Sequence, residues 1–186
     1  MHRPMKAQGH FDGFAVAAQH AVIAGHVDAA ALPRVADVLA EEGGPADIDY
    51  RITGTTDAAG RPALEVALAG AVALTCQRCL QSFRWPVAQT TLLLLARDER
   101  ELARIDEEDH EHEVVLAGAP LDTMVLVEDE LLLTLPFVPR CPEADCPAAR
   151  KEGAGAGAAA AATAGTASAF GMLAELKAVP GGKAPR

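Results

Sequence analysis

The stretch ALEVALAGAVALTCQRCLQSFRWPV, residues 63–87, predicts the centre of the fold. Large apolar side chains recur at every second position on both sides of its cysteines, a period typical of strands with one buried face. The side chains on this face are Leu64, Val66, Leu68, Val72 and Leu74 before the cysteines and Phe83, Trp85 and Val87 after them. We therefore expect two long antiparallel strands with CQRC (76–79) at the hairpin tip. Gly70 indicates a bulge or close packing, and Pro86 favours an edge or a bulge.

Two further segments are typical of strands. DIDYRIT (47–53) alternates apolar and polar residues in the same way, and EVVL (113–116) is a short apolar run between polar residues. TTLLLLA (90–96) prolongs the second hairpin strand. Together these segments predict an antiparallel β-meander of at least three strands.

Two segments are typical of helices and make the predicted fold class α+β. LDTMVLVEDELLLTLP (121–136) has Asp122 as an N-cap and ends at Pro136. Its apolar residues cover a broad face, so we expect one long helix buried against the meander. LPRVADVLAEEGG (32–44) predicts a shorter helix that starts near Pro33 and ends at the paired glycines.

The charge of the chain is unevenly distributed. The formal net charge is −10, which argues against a protein that covers nucleic-acid phosphates with Lys and Arg. Residues 97–113 hold nine acidic residues against three arginines, and we predict a solvated loop there. The rest of the chain is nearer neutrality, which leaves room for a local basic patch.

Composition divides the chain into four parts. Residues 150–167 are rich in Ala and Gly and have no apolar pattern that could pack, which is typical of a flexible linker. SAFGMLAELKA (168–178) places Phe170, Leu173 and Leu176 on one side of a predicted short amphipathic helix. The predicted organisation is an N-terminal segment (1–31), an α+β domain (32–149), the linker (150–167), and a C-terminal helix and tail (168–186).

The N-terminal residues lack the continuous apolar core of a secretory signal. No apolar run approaches the about 20 residues that a membrane-spanning helix needs. We therefore predict a cytoplasmic protein with no membrane partner. In that reducing compartment, cysteines are expected as metal ligands or free thiols rather than as disulfides.

The four cysteines form two pairs, Cys76 with Cys79 and Cys141 with Cys146. Short Cys-x2–4-Cys loops place two thiolates on one side of a zinc ion, and a second pair completes the tetrahedron. This spacing favours a closed, structural zinc site, which makes the hairpin tip resemble a zinc knuckle. Two alternatives remain: unliganded thiols, and a redox pair. The redox pair is disfavoured because a low-pKa thiolate usually lies at a helix N-terminus, whereas the residues after CQRC continue as a strand.

Polar and aromatic residues near these cysteines have both functional and structural interpretations. Arg78 could contact a phosphate or a guanine edge. The structural interpretation, which we favour, is that it offsets the negative charge of four thiolates or pairs with Glu128. We expect Glu128 to be buried and the two acidic residues that follow it to be solvated. Phe83 and Trp85 could stack on unpaired bases, although an aromatic pair at strand spacing is more often core. No phosphate-binding glycine loop and no nucleophile–base pair can be located, so we predict no catalytic residue.

Over residues 64–146 the sequence resembles the YceD family, the large ribosomal RNA subunit accumulation proteins. LTCQRC and VEDELLLTLPFVPRCPEADC carry the resemblance, and SAFGMLAELK is similar to the family's C-terminal segment. The resemblance implies a role in the synthesis, processing or stability of 23S ribosomal RNA. It also implies metal binding by Cys76, Cys79, Cys141 and Cys146, although relatives can have His at the position of Cys141.

These observations favour a non-enzymatic ribosome-assembly factor. Its expected partners are 23S ribosomal RNA or large-subunit precursor particles, together with ribosomal proteins, and Arg78, Arg84 and Arg140 would form an RNA-binding rim. The alternative is a protein–protein adaptor that binds basic ribosomal proteins or assembly enzymes through residues 97–113 and 168–178. A third hypothesis, a thiol oxidoreductase, requires a low-pKa thiolate at Cys76.

Overall fold

The computed structural model describes residues 9–44, 46–142 and 144–147. Its main sheet has five strands in the order β2-β3-β4-β5-β6, and β1 pairs separately with β7. In chain order the elements are β1 (His10–Phe11), α1 (Gly13–Gln19), β2 (Val22–Asp28), a 3-10 turn (Ala29–Ala31), α2 (Pro33–Ala36), β3 (Asp47–Thr56), β4 (Pro62–Thr75), β5 (Ser82–Ala96), α3 (Glu99–Glu108), β6 (Glu113–Leu116), β7 (Leu121–Asp122) and α4 (Thr123–Thr134). The predicted α+β class with an antiparallel meander is confirmed.

The β4–β5 hairpin is the spine of the sheet. Its strands stay paired from Ala63 with Leu94 to Thr75 with Ser82, so CQRC lies at the tip as predicted. The predicted buried face of β4 is buried in the structure at every position named above. Gly70 marks close packing, because a Cβ there would lie 2.4 Å from the backbone oxygen of Asp47. Pro86 lies where β5 pairs with β4 alone, since β6 pairs only with the four residues from Leu93 to Ala96.

The prediction of a solvated loop over residues 97–113 is wrong, because these residues contain helix α3. Asp98 caps this helix by accepting hydrogen bonds from the N–H groups of Arg100 (3.0 Å) and Glu101 (2.9 Å). Ile105 is buried against Ala63, Leu94 and Ala96 on the face of the sheet away from the main core. The helix carries the chain back along the sheet, so β6 pairs with β5 in parallel. The expected strand 113–116 is confirmed.

The opposite face of the sheet holds the main core, and α4 packs there. Asp122 caps α4 by accepting from the N–H groups of Met124 (2.8 Å) and Val125 (3.1 Å), as predicted. Leu126, Val127 and Leu131 are buried with the inward side chains of β3, β4 and β5. The long buried helix is therefore confirmed.

Helix α2 begins at Pro33 as expected but ends at Ala36, well before the paired glycines. The following residues run instead along the end of β4, where Ala40 donates a hydrogen bond to the carbonyl oxygen of Ala73 (2.9 Å). Gly43 is held against the same residue, since a Cβ on it would lie 2.4 Å from the Cβ of Ala73. Contact with the sheet therefore replaces the continuation of the helix.

Residues 10–28 contribute to the main core, and residues 22–28 also join the main sheet. Strand β2 pairs with β3 along its whole length, from Val22 with Thr53 to Asp28 with Asp47. Helix α1 crosses β3 at Gly54 and buries Val16 and Ala17. The predicted linker 150–167 and C-terminal helix 168–178 lie outside the described residues. Within the described part of the chain, no helix is both long and apolar enough to cross a membrane.

Candidate metal centre

The hairpin tip presents the first cysteine pair on a tight loop. Cys76 donates its N–H to the carbonyl oxygen of Gln81 (2.9 Å), and Leu80 donates its own to the carbonyl oxygen of Cys76 (2.8 Å). Leu80 closes the loop in the left-handed region at φ 59°. These bonds curl the backbone so that the side chains of Cys76 and Cys79 face the same side.

The segment after α4 brings the second pair to this loop. Leu135 ends the helix in extended conformation, and Pro136 prevents its continuation. Gln77 at the hairpin tip then donates its N–H to the carbonyl oxygen of Pro139 (2.8 Å), which fixes the chain two residues before Cys141. A turn closed by Asp145 N–H and Pro142 O (3.0 Å) directs Cys146 back to the same place.

The four sulfur atoms converge. Sγ atoms of Cys76, Cys79, Cys141 and Cys146 all lie within 4.8 Å of one another, and those of Cys79 and Cys141 are 3.8 Å apart. Four thiolates at about 2.3 Å from a zinc ion in a tetrahedron would have sulfurs about 3.8 Å apart. A disulfide requires about 2.05 Å, and all four cysteines are free. The donor set and its spacing fit a soft divalent metal ion.

Burial and hydrogen bonding suit a closed site. Cys76, Cys141 and Cys146 are buried, Cys79 is half-buried, and Phe83 packs against the cluster. Backbone N–H groups of Arg78 and Cys141 each donate to Sγ of Cys76 at 3.4 Å. Such donors stabilise a thiolate in a site that side chains shield from water. With four protein ligands, such a site leaves no position for a reacting water.

The thiols of the cluster have different pKa values. Hydrogen bonds from the backbone of Cys141, and then from Cys79 and Arg78, lower the pKa of Cys76 to about 6. Burial, and then the neighbouring sulfur atoms, raise the pKa of Cys141 to about 12. Four anionic sulfurs cannot be held this close without a cation, because each negative charge raises the free energy of ionising the neighbouring thiols.

The low pKa of Cys76 is the property that the oxidoreductase hypothesis requires. Its surroundings differ from those of a redox thiol, because Cys76 follows a strand and has no exposed surface. A reactive cysteine lies in a partly exposed position that a substrate disulfide can reach. The geometry therefore favours metal binding over thiol exchange.

The three arginines predicted to contact RNA lie at this end of the hairpin. Arg84 and Arg140 are exposed, and Arg78 is half-buried within the loop. Phe83 and Trp85 pack against the core in an edge-to-face contact with centroids 6.4 Å apart. Their core interpretation is thus the one that the packing supports.

The predicted buried pairing of Glu128 with an arginine is confirmed, but the partner is Arg34 rather than Arg78. Nη2 of Arg34 lies 2.9 Å from Oε2 of Glu128, and Nη1 lies 2.6 Å from the carboxylate of Asp129. The expectation that the two acidic residues after Glu128 are solvated is wrong for Glu130, which is buried. Sequence spacing gave no signal for Arg34, which is 94 residues from Glu128.

Comparisons with known proteins identify one family. The sequence model described as "Large ribosomal RNA subunit accumulation protein YceD" matches residues 64–177, more than half of the chain. The match includes both cysteine pairs. Searches of curated proteins and of solved structures found no match.

Proposed function

The chain belongs to the YceD family, whose name implies a role in large ribosomal subunit RNA accumulation, and on this premise we propose that it is a non-catalytic assembly factor for 23S ribosomal RNA. It would act in the cytoplasm on the synthesis, processing or stability of that RNA. Its fold would be clamped by a structural zinc ion held by Cys76, Cys79, Cys141 and Cys146. The zinc would cross-link the two chain segments and would supply no chemistry on a substrate.

The convergence of the four sulfurs within 4.8 Å carries the metal part of this proposal. Sixty-one residues lie between Cys79 and Cys141, and the contact of the two pairs joins the hairpin tip to the segment beyond α4. A zinc ion with four thiolates has a net charge of −2, and the neighbouring guanidinium groups of Arg78 and Arg140 would offset it.

Metal analysis of protein purified without chelator tests this site. We expect one zinc per chain in the wild type and loss of zinc in Cys79→Ser and Cys146→Ser. Leu80→Asn is a matched control, because it changes an exposed side chain in the same loop and leaves the sulfurs in place. A wild-type protein without metal, or variants that keep it, would contradict the site.

Ribosomal RNA levels in cells test the assembly role. In cells that lack the protein, we expect 23S ribosomal RNA to fall relative to 16S, and the wild-type chain to restore it. Cys79→Ser should restore it less well if the metal clamp is needed. An unchanged ratio of the two RNAs in the deletion strain would contradict the proposed function.

Direct RNA binding would use the basic residues around the hairpin tip. Reversing Arg84 and Arg140 to Glu should weaken binding to 23S fragments and reduce the slope of log K against log salt by about one for each phosphate that is no longer neutralised. Arg104→Glu on α3 is the control, because Arg104 is exposed but paired with Glu108 (2.9 Å) far from the tip. Equal effects of all three changes would argue against a local RNA-binding rim.

A second candidate, an adaptor for basic ribosomal proteins, is favoured by the surface of α3. Asp98, Glu99, Asp106, Glu107 and Glu108 are all exposed along this helix. Arg100 and Arg104 are also exposed on this helix, but its surface remains net negative, which attracts a basic protein and repels phosphates. Pull-down of large-subunit particles before and after nuclease treatment separates the candidates, since a protein-mediated association survives loss of RNA.

A further inference from the structure

A groove of about 510 Å³ opens on the surface between α4 and the end of β4. Its lining is largely apolar and includes Val38, Leu39, Leu74, Leu132, Leu135 and Phe137. Asp37 is the one charged residue among the described residues that line it. The groove borders the cysteine cluster, because Gln77 and Pro139 also contribute to its wall.

Large apolar side chains remain uncovered in and beside this groove. Phe137 is fully exposed, Leu133 is 65% exposed, and Val38 and Val138 are about half exposed. Helix α4 accounts for part of this exposure. Its own apolar residues lie around most of its circumference, but only one side of the helix faces the sheet. Single exposed leucines are ordinary, but a group of large apolar side chains beside an open groove marks a surface that another segment covers.

We propose that residues 168–178 of the same chain, SAFGMLAELKA, bind in this groove. Phe170, Leu173 and Leu176 recur every third residue and would form one apolar stripe on a helix. Lys177 follows the stripe and could pair with Asp37. An amphipathic helix laid in an apolar groove is a common recognition mode for such a stripe.

The tether to this segment starts at the rim of the groove. Cys146, the residue before Pro147, has its sulfur within 4.8 Å of that of Cys76, and Gln77 next to Cys76 lines the groove. Twenty residues separate Pro147 from Ser168. A random coil of 20 residues has an r.m.s. span of about 25 Å, which is ample to return to the groove.

Tethering makes a weak interaction sufficient. A short flexible linker gives an effective concentration of about 1 mM, so a segment with an intrinsic Kd of about 100 μM would be bound roughly nine-tenths of the time. The family match reaches residue 177, across the low-complexity stretch and to the end of the apolar stripe. The segment thus belongs to the pattern that defines the family.

Hydrogen exchange of the full-length chain, read by mass spectrometry, tests the proposal. We expect amides of residues 168–178 to exchange about tenfold more slowly than in the double variant Leu133→Ser/Phe137→Ser, whose substitutions are both at exposed positions. Phe170→Ser should release the segment in the same way and speed exchange around residues 132–139. Emission of Trp85, the one tryptophan in the sequence, checks that each variant is folded.

Leu116→Ser is the matched control, because Leu116 is an exposed apolar residue that pairs with Ala96 at the opposite end of β5. Exchange in residues 168–178 should be unchanged by this substitution. Absence of protection in the wild type, or protection that survives the groove variants, would overturn the proposal. So would protection that appears only with dimers in sedimentation equilibrium, since the groove would then bind a second copy.

Discussion

The carboxylate of Glu128 on α4 caps helix α2, and the side chain of Arg34 on α2 closes over it. Oε1 of Glu128 accepts hydrogen bonds from the backbone N–H groups of Arg34 (2.6 Å) and Val35 (3.4 Å). Nε and Nη2 of Arg34 donate to Oε2 at 3.0 and 2.9 Å. Leu32, at the N-cap of α2, supplies no side-chain bond, so a residue from another helix performs this role.

Replacing Glu128 with Gln should lower the free energy of unfolding by about 2 kcal/mol, because one buried carboxylate satisfies both the backbone donors and the guanidinium. Urea denaturation at neutral pH measures this decrease. Asp129→Asn is the control, since Asp129 also contacts Arg34 but lies at a half-exposed position, where ion pairs contribute little. Similar decreases in both variants would mean that capping is not what stabilises α2.

Two carboxylates on α4 should give opposite pH dependence. Burial opposes ionisation of Glu128, but hydrogen bonds from Arg34 and Val35 lower its pKa below the ordinary 4.5. Its contribution to stability is therefore complete above the unfolded pKa and is lost as pH falls through the folded one. Burial raises the pKa of Glu130, with further raising by Glu113 and Asp129, so its ionisation disfavours the folded state at higher pH.

Glu130→Gln should therefore stabilise the protein at pH 7 and have little effect below about pH 4, where Glu130 is neutral in both folded and unfolded chains. Gln keeps the acceptor for the Thr91 hydrogen bond. Urea denaturation of this variant and the wild type across that range gives the comparison. A stability difference that does not change with pH would show that Glu130 does not titrate differently in the folded state.

Gly54→Ala should destabilise the fold by about 1–3 kcal/mol or more, as overpacking does. A Cβ at this position would lie 1.9 Å from the carbonyl oxygen of Val16 and 2.7 Å from the backbone nitrogen of Ala17. Helix α1 would have to move off β3. Thr53→Ala on the same strand removes atoms rather than adding them and should cost much less, as thermal unfolding can verify.

Chelation of the proposed zinc ion should loosen the hairpin tip and leave the sheet folded. The cysteine cluster is separate from the main core, which contains α4 and the inward residues of β3, β4 and β5. We expect far-UV circular dichroism to persist while Trp85 emission shifts, because Phe83 contacts both Trp85 and the cluster. Added zinc should reverse the shift, whereas cooperative loss of all secondary structure would show that the core depends on the metal.

Local patterns predicted several elements because their cause is local. The two-residue period of β4 reflects one buried and one exposed face, and the cap and stop of α4 are next to it in sequence. Helix α3 had comparable signals that the acidic composition masked: Asp98 as a cap, Glu101 three residues later, and apolar Leu102 and Ile105. The buried face of α3 is narrow, so charged residues outnumber apolar ones in its sequence and hide the helical period.

Long-range partners could not be predicted in the same way. The parallel pairing of β6 depends on the path of α3, and the partner of Glu128 depends on how α2 and α4 pack. Neither leaves a periodic trace in the sequence. Helix α2 shows the opposite case. Its sequence could continue the helix, but the backbone N–H of Ala40 donates instead to the carbonyl oxygen of Ala73 at the end of β4.

By itself, the sequence determined the hairpin, the long helix and the presence of two thiol pairs, because periodicity, capping and spacing act over a few residues. Only the tertiary structure decided that the two pairs meet, that Arg34 rather than Arg78 binds Glu128, and that an apolar groove opens beside them. Those relationships arise when the sheet and α4 bring segments of the chain more than 60 residues apart into contact. Their free energy comes from burial of the shared core, which no short stretch of sequence encodes.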